Sequence, residues 1–168
     1  MLTKTMEKAI NEQIKWEMYS GYMYLSMSAY CAVNNLPGFA SWMRVQAQEE
    51  LFHAMKFYDY VLERGGRLEL AEIWQPPLQW ESPLAVMEET LEHEQKVTAR
   101  INELIDVAIA EKDHATNQFL QWFVAEQVEE EDSVGAALGK LKLIGKDGAG
   151  MYMLDKEMAV RVFTPPVA

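Results

Sequence analysis

The sequence predicts an all-α protein: a four-helix bundle with a long crossover between helices 2 and 3 and a short fifth helix at the C-terminal end. Three observations carry this expectation. Four segments repeat apolar residues at steps of three and four. Clear breakers separate them. Only the stretch 65–82 is both long and poor in helical pattern.

The first segment runs from Thr5 to Asn34 and stops at Asn34-Asn35-Leu36-Pro37-Gly38. The second covers Gly38 to Arg64. Ser82-Pro83 supplies an N-cap and a first-turn proline for the third, which runs from Pro83 to Lys112. Asp113 caps the fourth, His114 to Ile144, and Gly145-Lys146-Asp147-Gly148 closes it; Gly150 to Arg161 is the short fifth helix. At 1.5 Å per residue, helices of roughly 27 to 31 residues are about 40 to 46 Å long. Long helices on short links pack antiparallel. Residues 65–82 hold Gly65-Gly66 and Pro76-Pro77. Extended at ~3.3 Å per residue, they span the bundle and make helices two and three parallel. The 168 residues are expected to form one domain, 1–168, with the bundle over about 5–144 and the fifth helix over about 150–161.

The single cysteine, Cys31, excludes an internal disulfide, and no cysteine pair stands at a metal spacing, so a reducing, cytoplasmic setting is expected. The N-terminus runs straight into an amphipathic pattern and no apolar run approaches membrane length, so the chain reads as soluble and untargeted. A net charge of −11 and a pI near 4.7 argue against nucleic acid and anionic membrane as partners and favour cations.

Along the a/d seam the first helix reads Ile10, Ile14, Glu17, Gly21, Tyr24, Ser28, Cys31, and the second Phe39, Met43, Gln46, Glu50, His53, Phe57, Tyr60. The third reads Leu84, Met87, Leu91, Glu94, Thr98, Ile101, Ile105, Ala108, and the fourth Thr116, Leu120, Phe123, Gln127, Glu130, Val134, Ala137, Leu141, Ile144. Every seam is interrupted by polar residues near its middle. Glu17, Glu50, His53, Glu94, Gln127 and Glu130 therefore fall at one height. Taken singly, each has an ordinary reading: Glu17 and Glu94 on solvent-facing edges, His53 as a core histidine with one hydrogen bond. Taken jointly, they point to a cation site, because four buried carboxylates without counter-charge repel one another and each costs several kcal/mol to desolvate. Hard carboxylate oxygens with one imidazole suit Fe, Mn or Zn with open positions.

At these residues the chain resembles the non-haem bacterial ferritins, within the ferritin-like di-iron carboxylate family, over essentially its whole length. The resemblance is carried by Glu17, the run Ala47-Gln48-Glu49-Glu50-Leu51-Phe52-His53, Glu94, and the run from Phe119-Leu120-Gln121-Trp122 to Glu126-Gln127-Val128-Glu129-Glu130. That family places a Glu on two helices and Glu-x-x-His on two others. Here the second Glu-x-x-His is missing, so the two metal positions are expected to be unequal.

The resemblance implies one iron at Glu17, Glu50 and His53 and a second at Glu50, Glu94 and Glu130, with Gln127 beside it and Glu50 bridging. It implies a weaker third iron at Glu49, Glu126 and Glu129; a solvated acidic face over Glu129-Glu130-Glu131-Asp132 is the competing reading. Tyr24 stands where the family keeps a tyrosine that hydrogen-bonds near the site and donates an electron, against the alternative of core filler. Trp122 divides in the same way, with packing favoured. His93, off the seam, reads as surface.

The implied activity is that of a ferroxidase, which oxidises Fe(II) with dioxygen or hydrogen peroxide and stores Fe(III) as mineral in a homo-oligomeric shell of 24 subunits. Met151, Met153, Leu154 and Met158 then pack around a four-fold axis or form a small hydrophobic cap. Leu51 stands where bacterioferritins carry a haem-binding methionine, so no haem is expected. Asn117 and Leu120 stand at the acidic three-fold channel positions of animal ferritins, which leaves the route of iron entry open.

Overall fold

The computed structural model describes residues 1–165; positions 166–168 of the expected domain lie outside the described residues. The element order is α1 (Lys4–Val33), α2 (Pro37–Glu63), α3 (Pro83–Ala110), α4 (His114–Ile144) and α5 (Gly148–Met158), with no strand among the described residues. The caps are those the sequence named. Ser82 accepts from the Ala85 N–H, Asp113 accepts from the Thr116 N–H, and Pro83 opens α3. The α1–α2 turn passes through Asn35 at φ 59°, a left-handed conformation that asparagine tolerates better than most residues.

The fifth helix differs from expectation at both ends. Asp147 accepts from the Ala149 and Gly150 N–H groups and so starts it at Gly148. It ends at Met158, three residues before Arg161, which therefore belongs to the non-helical segment beyond.

Contacts across helices fix the topology. Ser28 meets Ala40 and Gly21 meets Ala47, so α1 and α2 are antiparallel. Thr90 reaches Met27, His93 reaches Ser20 and Arg100 reaches Gln13, so α3 also runs antiparallel to α1. Helices α2 and α3 are consequently parallel, joined by the expected crossover. That crossover is pinned to α1: Asn11 donates to the Arg67 carbonyl at 2.9 Å and accepts from the Glu69 N–H at 2.8 Å, and Ser26 donates to the Pro77 carbonyl at 2.6 Å. Contacts of Gln46 with Glu130 and of Tyr60 with Thr116 set α4 antiparallel to α2.

The apolar interior falls into two clusters. One holds Tyr24, Met27, Phe39, Met43, Met87, Val134 and Leu154; the other holds Ile10, Ile14, Phe57, Val97, Ile101, Leu120 and Phe123. The polar seam residues lie between them. The expected seam is buried throughout α1 and α2 and, except for half-buried Ile144, throughout α4. On α3 the buried stripe is turned. Leu84, Leu91, Thr98 and Ile105 are only half-buried, while Val86, Thr90, His93, Val97 and Leu104 are buried. Trp16 and Tyr19 of α1 lie against His93 and pack with Trp74 of the crossover, shielding a flank the seam left open.

Leu154 and Met158 are buried and Met151 packs half-buried against the same cluster, while Met153 stays exposed, so the cap reading holds for all of the named residues but Met153. Among the described residues no helix is long and apolar enough to cross a membrane.

Candidate metal centre

Helix α1 presents Glu17, and α2 presents Glu50 and His53 one turn apart, on a common face. All three are buried, and each offers a ligand atom within 4.8 Å of the other two. The helices approach closely here because Gly21 sits one turn above Glu17. A Cβ at Gly21 would lie 3.3 Å from the Ala47 carbonyl oxygen and 3.5 Å from Glu50 Cβ. His53 Nδ1 is 3.6 Å from Glu50 Oε2, and its Nε2 is 3.9 Å from Glu126 Oε2.

Two atoms of this group stand out. Glu17 Oε1 accepts from Gln13 Nε2 at 2.8 Å, but Glu17 Oε2 and Glu50 Oε2 are buried with no hydrogen-bond partner among the described residues. A buried carboxylate oxygen left unsatisfied costs roughly 1–3 kcal/mol or more. A cation between the two removes that cost. Two carboxylates and an imidazole form a donor set that fits iron, manganese or zinc.

The other two glutamates stand outside the 4.8 Å group. Glu94 Oε1 accepts the Tyr24 hydroxyl, and its Oε2 accepts from Gln127 Nε2 at 3.2 Å. Glu130 Oε2 accepts from Gln46 Nε2 at 2.8 Å. Burial, then the nearby Glu94 and Glu17, push the Glu50 carboxyl well above its usual range. Burial and Glu130 raise Glu94 to about 8, against the opposing donors Tyr24 and Gln127. Burial, reinforced by Glu94, also raises the Tyr24 hydroxyl, which keeps its proton. Within this acidic cluster, Glu50 and Glu94 therefore favour their protonated forms.

The residues expected at the third iron lie close enough to raise one another's carboxyls, but differ in exposure and partners. Glu49 pairs with Arg161 at 2.7 Å, and burial raises its carboxyl to about 7 despite the guanidinium. Glu126 is half-buried, its carboxyl raised by burial and opposed by His53. Glu129 is exposed. Of the acidic run only Glu130 is buried, so the solvated-face reading describes Glu129 and Asp132 well. Trp122 packs edge-on to His53 with centroids 5.5 Å apart. Leu120 is a core residue, so its side chain lines no channel. His93 corrects its surface reading: it is 5% exposed, its Nε2 lies 2.7 Å from Ser20 Oγ, and burial lowers it to about 4.

Sequence reasoning missed Gln13, Arg100 and Arg161, which hold the centre from outside the seam, and gave Gln46 no role beyond the seam. Gln13 carried a signal, one helical turn before Glu17.

A long helical bundle whose two apolar cores are separated by a carboxylate–histidine layer defines a metal-handling four-helix protein. Residues 7–144 match the family model described as a ferritin-like domain. The chain is 43% identical over 161 residues to a bacterial non-heme ferritin of Bacteroides fragilis, spanning 96% of this chain and all of the relative. It is 44% identical over 156 residues to one of Campylobacter jejuni, spanning 93% of each. Among solved structures, an engineered closed form of the Archaeoglobus fulgidus ferritin superposes with TM-score 0.96 at 54% identity, covering 98% of this chain and all of that one. The open-pore ferritin of the same archaeon gives TM-score 0.96 at 52% identity, covering 96% and 100%. The chain belongs to the ferritin family. Family and fold support a role in iron storage, and the Glu17–Glu50–His53 group fits it.

Proposed function

We propose that this chain is a ferroxidase and iron-storage subunit. It oxidises Fe(II) at a two-iron centre within each subunit and keeps Fe(III) as mineral inside a cytoplasmic homo-oligomeric shell of 24 subunits. The observation that carries the reading is the pair of orphaned oxygens, Glu17 Oε2 and Glu50 Oε2, beside His53: buried side-chain atoms that no donor reaches among the described residues.

Iron is the substrate. One ion lies at Glu17, Glu50 and His53, and the second at Glu50, Glu94 and Glu130, with Glu50 shared and Gln127 hydrogen-bonded to Glu94. Entry of the cations displaces the protons that Glu50 and Glu94 retain at neutral pH. Each Fe(II) gives up one electron, so the pair reduces one dioxygen to hydrogen peroxide with uptake of two protons; peroxide serves as the alternative two-electron oxidant. The second position lacks histidine and binds more loosely, passing its product on. Glu126 and Glu129, with Glu49 once Arg161 is displaced, form a weaker third position. Leu51 in place of a methionine keeps haem out. The charge of −11 per chain, multiplied over a shell, draws Fe(II) inward.

Anaerobic Fe(II) loading followed by an oxygen pulse tests this directly. The expected result is a transient ferric absorption at two irons per subunit, with hundreds of further irons retained in a particle that elutes as a large shell. A small oligomer that precipitates iron, or oxidation unchanged by Glu17→Ala and His53→Ala in intact shells, overturns it.

A further inference from the structure

Among the described residues, Glu17 and Glu130 form no ion pair with a lysine or arginine, yet an arginine reaches each of them through a glutamine. On one side Arg100 Nε donates to Gln13 Oε1 at 3.0 Å, and Gln13 Nε2 donates to Glu17 Oε1 at 2.8 Å. On the other, Arg161 Nη1 donates to Gln46 Oε1, and Gln46 Nε2 donates to Glu130 Oε2 at 2.8 Å. Each guanidinium also lies over a tryptophan one turn from the glutamine on the same helix. Arg100 is 4.6 Å from the Trp16 ring, and Arg161 is 4.6 Å from the Trp42 ring. Both glutamines are completely buried. The same four-part arrangement thus occurs twice, with one arginine from the middle of α3 and the other from the segment after α5.

The chemistry of the interposed amide explains its use. An arginine set directly on a carboxylate forms a two-pronged pair, occupying both oxygens and placing a full positive charge where a cation would bind. An amide takes one oxygen and brings no net charge. Its two ends are not equivalent, and a guanidinium only donates. Each arginine therefore turns the glutamine oxygen toward itself and the NH2 group toward the glutamate. The amide in turn fixes the carboxylate's rotation. At Glu17 the result is direct: Oε1 is occupied and Oε2 is bare.

We propose that these relays are positioning devices for the metal centre: Arg100–Gln13 sets Glu17, Arg161–Gln46 sets Glu130, and each leaves one carboxylate oxygen free for a divalent cation. The two ends of the centre are then adjusted separately, one from α3 and the other from the C-terminal segment. This rests on the two-cation reading above.

Co(II) titration of the intact, oxygen-free protein tests it, read by calorimetry for affinity and by visible absorption for coordination geometry, with shell integrity and Tm as controls. Arg100→Met or Gln13→Leu is expected to weaken one Co(II) site about 10- to 100-fold, the usual effect of removing a partner behind a ligand, and to alter that site's spectrum alone. Gln46→Leu does the same at the other site, and so does Arg161→Met, which also unpairs Glu49 and so strengthens, rather than weakens, Co(II) binding at the third position. Combining both changes in one relay adds little, whereas combining changes across relays adds fully. Arg100→Lys restores only part of the affinity, because an ammonium lacks the planar fork that both stacks and donates. Equal weakening of both sites, or a lowered Tm with affinities and spectra unchanged, overturns the relay. Wild-type protein that binds no Co(II) overturns the two-cation reading with it; wild-type protein that binds two, beside indifferent variants, overturns the relay alone.

Discussion

Asp155 Oδ1 accepts the backbone N–H groups of Gly38 at 2.8 Å and of Phe39 at 3.0 Å, so a carboxylate of α5 caps the first turn of α2 across most of the chain length. Leu36, at the cap position itself, has no side chain able to do this. The negative charge also sits at the positive end of the α2 dipole. This joint fixes where the chain leaves α5, and hence where Arg161 arrives.

Gly38→Ala breaks that joint. The added Cβ would lie 1.6 Å from the Asp155 carbonyl oxygen, so α5 must move away. The expected loss is about 3 kcal/mol, from two hydrogen bonds to a charged acceptor and the apolar seat of Leu154 and Met158. Differential scanning calorimetry gives the stability, and hydrogen exchange over residues 148–158 shows whether α5 is what has loosened.

Metal-free protein is expected to lose stability as pH rises. The Glu94 carboxyl has a usual value of 4.5 and is raised to about 8 in the fold, with Glu50 raised in the same sense. Below 4.5 both folded and unfolded chains are protonated and the full stability is present. Between 4.5 and about 8 the unfolded chain ionises first, the folded chain holds more protons, and stability falls. Thermal melts across that window read the slope. Glu94→Gln flattens it, and saturating Zn(II) both flattens it and raises Tm at neutral pH.

Glu50→Gln separates folding from binding. Replacing the carboxyl with a neutral amide removes a buried group that repels Glu94 and Glu17. Metal-free Tm is expected to rise at pH 8, while Fe(II) oxidation falls by about 100-fold or more, since the loss of a shared ligand exceeds that of an outer partner. A Tm that drops in parallel with activity contradicts the assignment of Glu50 as the shared ligand.

Tyr24→Phe removes one donor from Glu94 and costs about 1 kcal/mol. If the tyrosine gives an electron during turnover, freeze-quenched wild-type samples show an organic radical by electron paramagnetic resonance and the variant shows none. Identical spectra assign Tyr24 to packing and hydrogen bonding only.

Much of the fold was legible because helix period, caps and breakers act locally. Ser82, Pro83 and Asp113 name their helix starts without help from the rest of the chain. The mid-height glutamates and His53 were legible because a polar residue on an apolar seam is conspicuous. The buried side of α3 was not, since it depends on Trp16, Tyr19 and Trp74 arriving from elsewhere to enclose His93. Arg161 was hidden for the same reason. It follows the last helix, and nothing in its neighbours along the chain points to Gln46 or Glu49, both more than a hundred residues earlier.

Glu17, Glu50, His53, Glu94, Gln127 and Glu130, with the amides that steady them, come from one chain. In a population assembled from normal and Glu50→Ala chains, turnover should decline linearly with the altered share, without a threshold at which the remaining centres fail together. Composition, rather than cooperation, would then dose the output of each particle.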